Sequence, residues 1–91
     1  MKRITERYNG KLWGGTIATR VERLSDDVHY RLWYYKEFNE HGPNVSIAII
    51  RPCDDGFQIT WERSRKTEVL DYDTLCSQLD AKIKEIIIDL E

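Results

Sequence analysis

Cysteine and histidine are scarce in this chain, with two of each among its 91 residues. Cys53 and Cys76 lie far apart and outside any CxxC pair, so the sequence predicts two free thiols in a reducing compartment rather than a disulfide. His29 and His41 have no cysteine or carboxylate near them at the spacing of a metal site. We therefore expect neither a disulfide scaffold nor a bound metal ion.

Catalytic and cofactor motifs are also missing from the sequence. It contains no GxGxxG, Walker, HExxH or GxSxG pattern, and these patterns mark dinucleotide, phosphate, zinc and acyl-transfer sites. Two pairs of acidic residues, Asp54 with Asp55 and Asp71 with Asp73, are explained by the chemistry of turns and helix caps. The sequence therefore predicts a protein that is not an enzyme and that needs no cofactor.

Long apolar runs are the third absence. No stretch approaches eighteen apolar residues, and the start MKRITERYNG has no apolar segment of the kind found in signal peptides. Apolar residues make up 41% of the chain and charged residues 33%, which is typical of a folded domain. We expect one domain over residues 1–91, located in the cytoplasm and without membrane contact.

Alternation of apolar and polar residues predicts four main β-strands, in the regions 16–24, 30–38, 45–51 and 57–63. If Asp26 and Asp27 form a two-residue loop, the first two strands pair with their apolar residues on one face. The expected facing pairs are Val21 with Leu32, Thr19 with Tyr34, Glu22 with Arg31, and Arg20 with Trp33 in a cation-π contact.

Different elements are predicted at the two ends of the chain. The Asn9-Gly10 pair favours a hairpin between residues 4–8 and 11–13. From Tyr72 to Leu90 the apolar residues have helical spacing, with Asp71 as the N-cap and Ile88 outside the apolar stripe. Residues 67–70 are either a lead into this helix or a short edge strand.

The predicted fold class is therefore α+β. It is an antiparallel β-meander of four main strands plus an N-terminal hairpin, with one C-terminal α-helix packed on one sheet face. The residues expected beneath the helix are Val21, Tyr30, Leu32, Tyr34, Ile47, Ile49, Phe57, Ile59 and Trp61.

The segment YRLWYYKEF, residues 30–38, contains five of the ten aromatic residues and has large rings at both odd and even positions. One helix covers only one face of a sheet, so some of these rings belong to the other face. Extending the strand registers places Trp33 beside Ile50 and Thr60, and Tyr35 beside Ala48 and Glu62. An apolar centre with a charged rim has the composition of a contact site. The predicted partner-binding residues are Trp33, Tyr35, Arg20, Arg31, Ile50 and Glu62.

Several occupants of this face remain open at the level of sequence. The N-terminal segment with Tyr8, Leu12 and Trp13 could fold over it, or two copies of the chain could stack these faces as a homodimer. Otherwise the face binds a different protein. The leading hypothesis is a non-enzymatic protein-binding module, such as a small inhibitor, an immunity or anti-defence protein, an adaptor or a subunit.

Single-stranded nucleic acid is the alternative partner, because aromatic rings stack on bases and arginines hold phosphates. The order of four strands and a helix is also similar to that of single-stranded-DNA-binding transcription coactivator domains, a resemblance in topology. Acidic residues on the same face and a net charge of -2 favour a protein partner instead.

Overall fold

A five-stranded antiparallel sheet is the centre of the computed structural model, which describes residues 2–10, 17–24, 28–36 and 44–90. The strands lie side by side in chain order. The elements are α1 (Lys2–Arg7), β1 (Ile17–Arg23), β2 (Tyr30–Lys36), β3 (Asn44–Cys53), β4 (Gly56–Trp61), β5 (Thr67–Leu70) and α2 (Tyr72–Leu90). The α+β meander with a C-terminal helix is confirmed, and residues 67–70 form an edge strand.

The predicted N-terminal hairpin is wrong, because Lys2–Arg7 is a short helix. Ile4 and Tyr8 are one helical turn apart, and both are fully buried in the core, so tertiary packing outweighs the local hairpin signal. Gly10 does have the positive φ that the turn signal implied, at 104°. It pairs, however, with Thr19 at the outer edge of β1. The second arm of the predicted hairpin, residues 11–13, lies outside the described residues.

The predicted pairing of β1 with β2 is confirmed at every position. Val21 lies opposite Leu32, and Thr19 lies opposite Tyr34. On the other face the observed pairs are Glu22 with Arg31 and Arg20 with Trp33. The predicted two-residue loop, Asp26 and Asp27, lies outside the described residues.

The pairing of β2 with β3 differs from the prediction because β3 contains a β-bulge. Leu32 pairs with Ala48 but Trp33 pairs with Ser46, which leaves Ile47 as an extra residue. Ile47 and Ala48 are both buried in the core. The alternation of side chains between the two faces of the sheet therefore shifts by one residue at the bulge. A residue beyond the bulge that uninterrupted alternation would assign to one face lies on the other face.

This shift corrects three positions in β3. Ala48 pairs with Leu32 in the core, so its predicted place beside Tyr35 is wrong. Ile50 pairs with Tyr30 and Ile59 and is 0% exposed in the core, so its predicted place beside Trp33 is wrong. Ile49 pairs with Arg31 and Thr60 on the opposite face, so its predicted place in the core is also wrong.

Helix α2 covers the core face of the sheet with the apolar stripe that its sequence predicts. Leu75, Leu79 and Ile83 are fully buried, whereas Ile88 is 71% exposed, as its position outside the stripe requires. Asp71 caps the helix, since its Oδ1 accepts a hydrogen bond from the backbone N–H of Thr74 at 2.7 Å. This hydrogen bond favours the carboxylate and lowers the pKa of Asp71 below its ordinary value.

Helix α1 packs beside α2 on the same face of the sheet. The Tyr8 hydroxyl donates to Asp80 Oδ1 at 2.7 Å, and Arg7 forms an ion pair with the other oxygen of Asp80 at 2.6 Å. Thr19, on the core side of β1, donates from its Oγ1 to the Tyr8 carbonyl oxygen. Residues 2–10 therefore do not cover the face that carries Trp33. Neither helix, over the described residues, combines the length and apolar character needed to cross a bilayer.

Candidate binding face

The sheet face opposite the two helices, called the open face below, is formed by every second side chain of the strands. The antiparallel pairing brings these side chains into adjacent rows, because facing residues in a pair share a face. Among the described residues, the open face includes Ala18, Arg20, Glu22, Arg31, Trp33, Tyr35, Ser46, Ile49, Arg51, Gln58, Thr60 and Glu62. Five of the six predicted residues lie on this face, namely Trp33, Tyr35, Arg20, Arg31 and Glu62, and the sixth, Ile50, does not.

Trp33 is held in place by its neighbours and remains partly exposed. Its Nε1 donates a hydrogen bond to Glu22 Oε2 at 2.8 Å. The guanidinium carbon of Arg31 lies 5.4 Å from the centre of the indole ring, within the range of a cation-π interaction. The contact predicted between Arg20 and this ring is not the one observed, since Arg20 lies over Tyr35 at 6.0 Å.

Glutamates separate the arginines along the open face. Glu22 lies 3.9 Å from Arg20, and Glu62 lies 3.4 Å from Arg31 and 4.0 Å from Arg65. Most of these side chains are partly exposed, so the pairs add little to the stability of the fold. Their effect is instead to fix a pattern of alternating charge around the indole ring, which is suited to choosing a partner.

Some polar groups beside Trp33 have hydrogen-bonding capacity that the described residues do not use. Ser46 Oγ, on the strand position facing Trp33, is shielded from solvent and has no hydrogen-bond partner among them. Arg31 Nε and Glu62 Oε1 are also shielded and face each other at 3.4 Å, which is long for a charged hydrogen bond. Such groups are uncommon in folded proteins, and here they cluster around one ring.

Tyr35 and Ile50 do not have the exposure that the sequence prediction gave them. Tyr35 lies on the open face but is only 4% exposed, so it contributes to packing there and offers little ring surface. Ile50 belongs to the core, for the reason given by the bulge. Ile49 takes the apolar position next to Arg31 instead, and no signal in the sequence distinguished these adjacent isoleucines.

Glu22 is the other residue missing from the predicted site. The register of β1 and β2 already placed it opposite Arg31, so its position on this face was available from the sequence. Its hydrogen bond to Trp33 Nε1 was not, because that contact joins diagonal neighbours and depends on side-chain rotamers.

The remaining candidates for chemistry are dispersed. Cys53 is exposed at the β3–β4 turn and Cys76 is a buried residue of α2, and both are free thiols, as predicted. His29 lies just before β2, and His41 is outside the described residues. In the part of the chain that the structure describes, no three histidine, cysteine or acidic side chains come together in a way that could hold a metal ion.

No protein-family model matches this chain, and comparison with curated proteins and with solved structures finds no match to either.

Proposed function

We propose that this chain is a non-enzymatic protein-binding module whose open face contacts a folded protein partner. One observation carries the proposal: a partly exposed tryptophan, ringed by alternating arginines and glutamates, lies on the face that neither helix covers. Tryptophan and arginine are the residues most often found as energetic anchors of protein interfaces. A small inhibitor, an immunity or anti-defence protein, an adaptor and a subunit all bind in this way.

The chemistry of the face indicates what the partner offers. An apolar side chain would pack against the exposed part of Trp33 and Ile49. Because Arg20, Glu22, Arg31 and Glu62 alternate in sign, the partner would present both acidic and basic groups at its rim. Polar groups of the partner would also supply hydrogen bonds to the Ser46 and Arg31 side chains once these reorient. We further propose that the protein acts in the cytoplasm, where its two free thiols stay reduced.

Single-stranded nucleic acid is less well supported as the partner. Base stacking needs exposed rings, but Tyr35 is 4% exposed and Arg31 already lies against the ring of Trp33. The arginines nearest the tryptophan each have a glutamate within 4.0 Å, which opposes phosphate binding. A mixed-sign surface of this kind favours a protein.

Site-specific photo-crosslinking tests the proposal directly. A photoreactive phenylalanine analogue replaces Thr60 on the open face, and the same analogue at Lys84 on the exposed side of α2 is the matched control. In native lysate we expect an adduct of defined mass from position 60 and none from position 84. An adduct of two copies of the chain would show self-association instead, and the absence of an adduct specific to position 60 would contradict the proposal.

Two substitutions then ask whether the tryptophan and its rim carry the binding. Trp33→Ala is expected to abolish the adduct, whereas Ile88→Ala, which removes an exposed apolar side chain elsewhere, is expected to leave it intact. Glu22→Lys reverses a rim charge and removes the acceptor of the Trp33 Nε1 hydrogen bond, and it is expected to weaken the adduct. An electrophoretic mobility shift of labelled single-stranded nucleic acid that is stronger at low salt would support nucleic acid as the ligand. That result would count against this proposal.

A further inference from the structure

A groove of about 320 Å³ runs between helix α2 and the turn that follows β4, on the helix side of the sheet. Ile47, Trp61 and Ala81 supply apolar surface to it, and Arg63, Lys82 and Glu85 lie along its sides. It is a different surface from the open face, because Ile47 and Trp61 pack toward the core under α2. The volume lies at the lower end of the range found for sites that bind small molecules.

In the ranges that the structure describes, a neighbouring helix packs on one flank of α2, and the groove lies on the other flank. Tyr8 and Arg7 of the α1 region bind Asp80, so α1 fills the flank toward β1. On the other flank, the groove is lined by Trp61 at the end of β4 and by Arg63 and Ser64 in the turn that follows. Trp61 is fixed there, since its Nε1 donates to Glu68 Oε2 at 2.9 Å. A rigid aromatic ring at the base of a groove is suited to packing against a flat apolar ligand.

The charges of the groove are not balanced. Lys82 has Glu85 at 3.8 Å as its partner on the same helix. Arg63 has no ion pair with any residue of the described ranges, although its neighbour Arg65 pairs with Glu62. The three charged side chains of the groove therefore carry one excess positive charge, on a guanidinium. A guanidinium binds a carboxylate through two parallel hydrogen bonds, which makes it selective for planar anions.

We propose that this groove binds a small organic carboxylate with a flat apolar body, the body lying against Trp61 and the carboxylate against Arg63. The inference does not depend on the proposed function, because it concerns the opposite side of the molecule. The site offers apolar surface and one unpaired guanidinium, so the ligand needs both an apolar body and a carboxylate. A ligand that lacks either group is expected to bind with lower affinity.

Titration of the ¹⁵N-labelled protein with 2-naphthoate tests the inference, with 2-naphthamide as the neutral control of the same shape. We expect saturable shifts of the Trp61 indole N–H and the Ala81 amide, and a dissociation constant about tenfold lower for the carboxylate. The inference is overturned if millimolar 2-naphthoate leaves these signals unchanged, if it shifts the open face instead, or if the two ligands bind equally.

Variants separate the two parts of the site. Arg63→Gln is expected to remove the preference for 2-naphthoate over 2-naphthamide, while Arg51→Gln, which makes the same charge change on the opposite face, keeps it. Ala81→Leu fills the groove from an exposed helix position and is expected to abolish binding of both ligands. Ser77→Leu adds the same side chain to α2 outside the groove and is expected to leave binding unchanged. If either variant behaves like its control, the assignment of the site is wrong.

Discussion

At the scale of single residues, two glycines have similar backbones but different surroundings. Gly10 and Gly56 have φ values of 104° and 138°, in the region that side chains with a Cβ disfavour. A Cβ at Gly10 would meet nothing within 4 Å, whereas a Cβ at Gly56 would lie 2.5 Å from the carbonyl oxygen of Leu70. Gly56 is therefore required twice, by its own conformation and by the close approach of β5.

Substitution by alanine separates these two requirements. Gly10→Ala is expected to lower the free energy of unfolding by the backbone cost alone, about 1–2 kcal/mol. Gly56→Ala adds displacement of a neighbouring backbone, a further cost of about 1–3 kcal/mol. Urea unfolding of both variants measures the difference, and equal losses would show that the approach of Leu70 relaxes freely.

At the scale of elements, the β-bulge in β3 decides which side chains face the core. Without it, Ile47 and Ile49 would share a face, and Ile50 would join Trp33 on the other. The extra residue at Ile47 allows Ile47, Ala48 and Ile50 all to contribute to the core. It also places Ile49 beside Arg31 and Thr60, and so determines the apolar part of the open face.

Alanine at the two adjacent isoleucines tests this arrangement. Ile50→Ala creates a cavity in the core and is expected to lower the free energy of unfolding by about 2–5 kcal/mol. Ile49→Ala removes a partly exposed side chain and is expected to cost about 1 kcal/mol or less. Thermal or urea unfolding of the pair checks the order of the two losses. The reverse order would mean that β3 has the uninterrupted alternation that its sequence suggests.

At the scale of the whole molecule, a polar cluster joins the two ends of the described chain. Tyr8 is fully buried, and its hydroxyl donates to Asp80 and contacts the Cys76 carbonyl oxygen at 3.2 Å. Burial raises the pKa of Tyr8 above its ordinary value, so the hydroxyl stays protonated and remains a donor. The cluster holds α1 against α2 and so determines which flank of α2 has a neighbouring helix.

Removal of the Tyr8 hydroxyl is expected to loosen α1 more than the sheet. Tyr8→Phe should lower the free energy of unfolding by about 1–2 kcal/mol, because Asp80 loses a hydrogen bond to a buried donor. Amide hydrogen exchange should accelerate at residues 4–8 and change little in β2 and β3.

The matched control for this variant is Tyr30→Phe, which removes a hydroxyl from a partly buried tyrosine outside the cluster. It should leave stability within about 0.5 kcal/mol. Uniform acceleration of exchange across all elements in Tyr8→Phe would show that α1 does not open separately from the sheet.

Features that depend on neighbouring residues or on a repeating pattern of apolar residues were predictable from the sequence alone. The register of β1 with β2 follows from matching two alternating patterns across a turn, and Asp71 and the α2 stripe follow from helix capping and periodicity. These determined the α+β meander, and they placed Trp33, Arg20 and Arg31 on the face opposite the helix.

Only the tertiary structure decided the rest, because it depends on contacts between residues distant in sequence. Residues 2–7 become helical because Ile4, with Tyr8 just after the helix, fills the core beside α2, although the Asn9-Gly10 pair favours a hairpin locally. The bulge at Ile47 lets three side chains of one strand reach that core, at the expense of alternation. A local pattern states which residues are apolar, but the packing of helix against sheet determines which of them are buried.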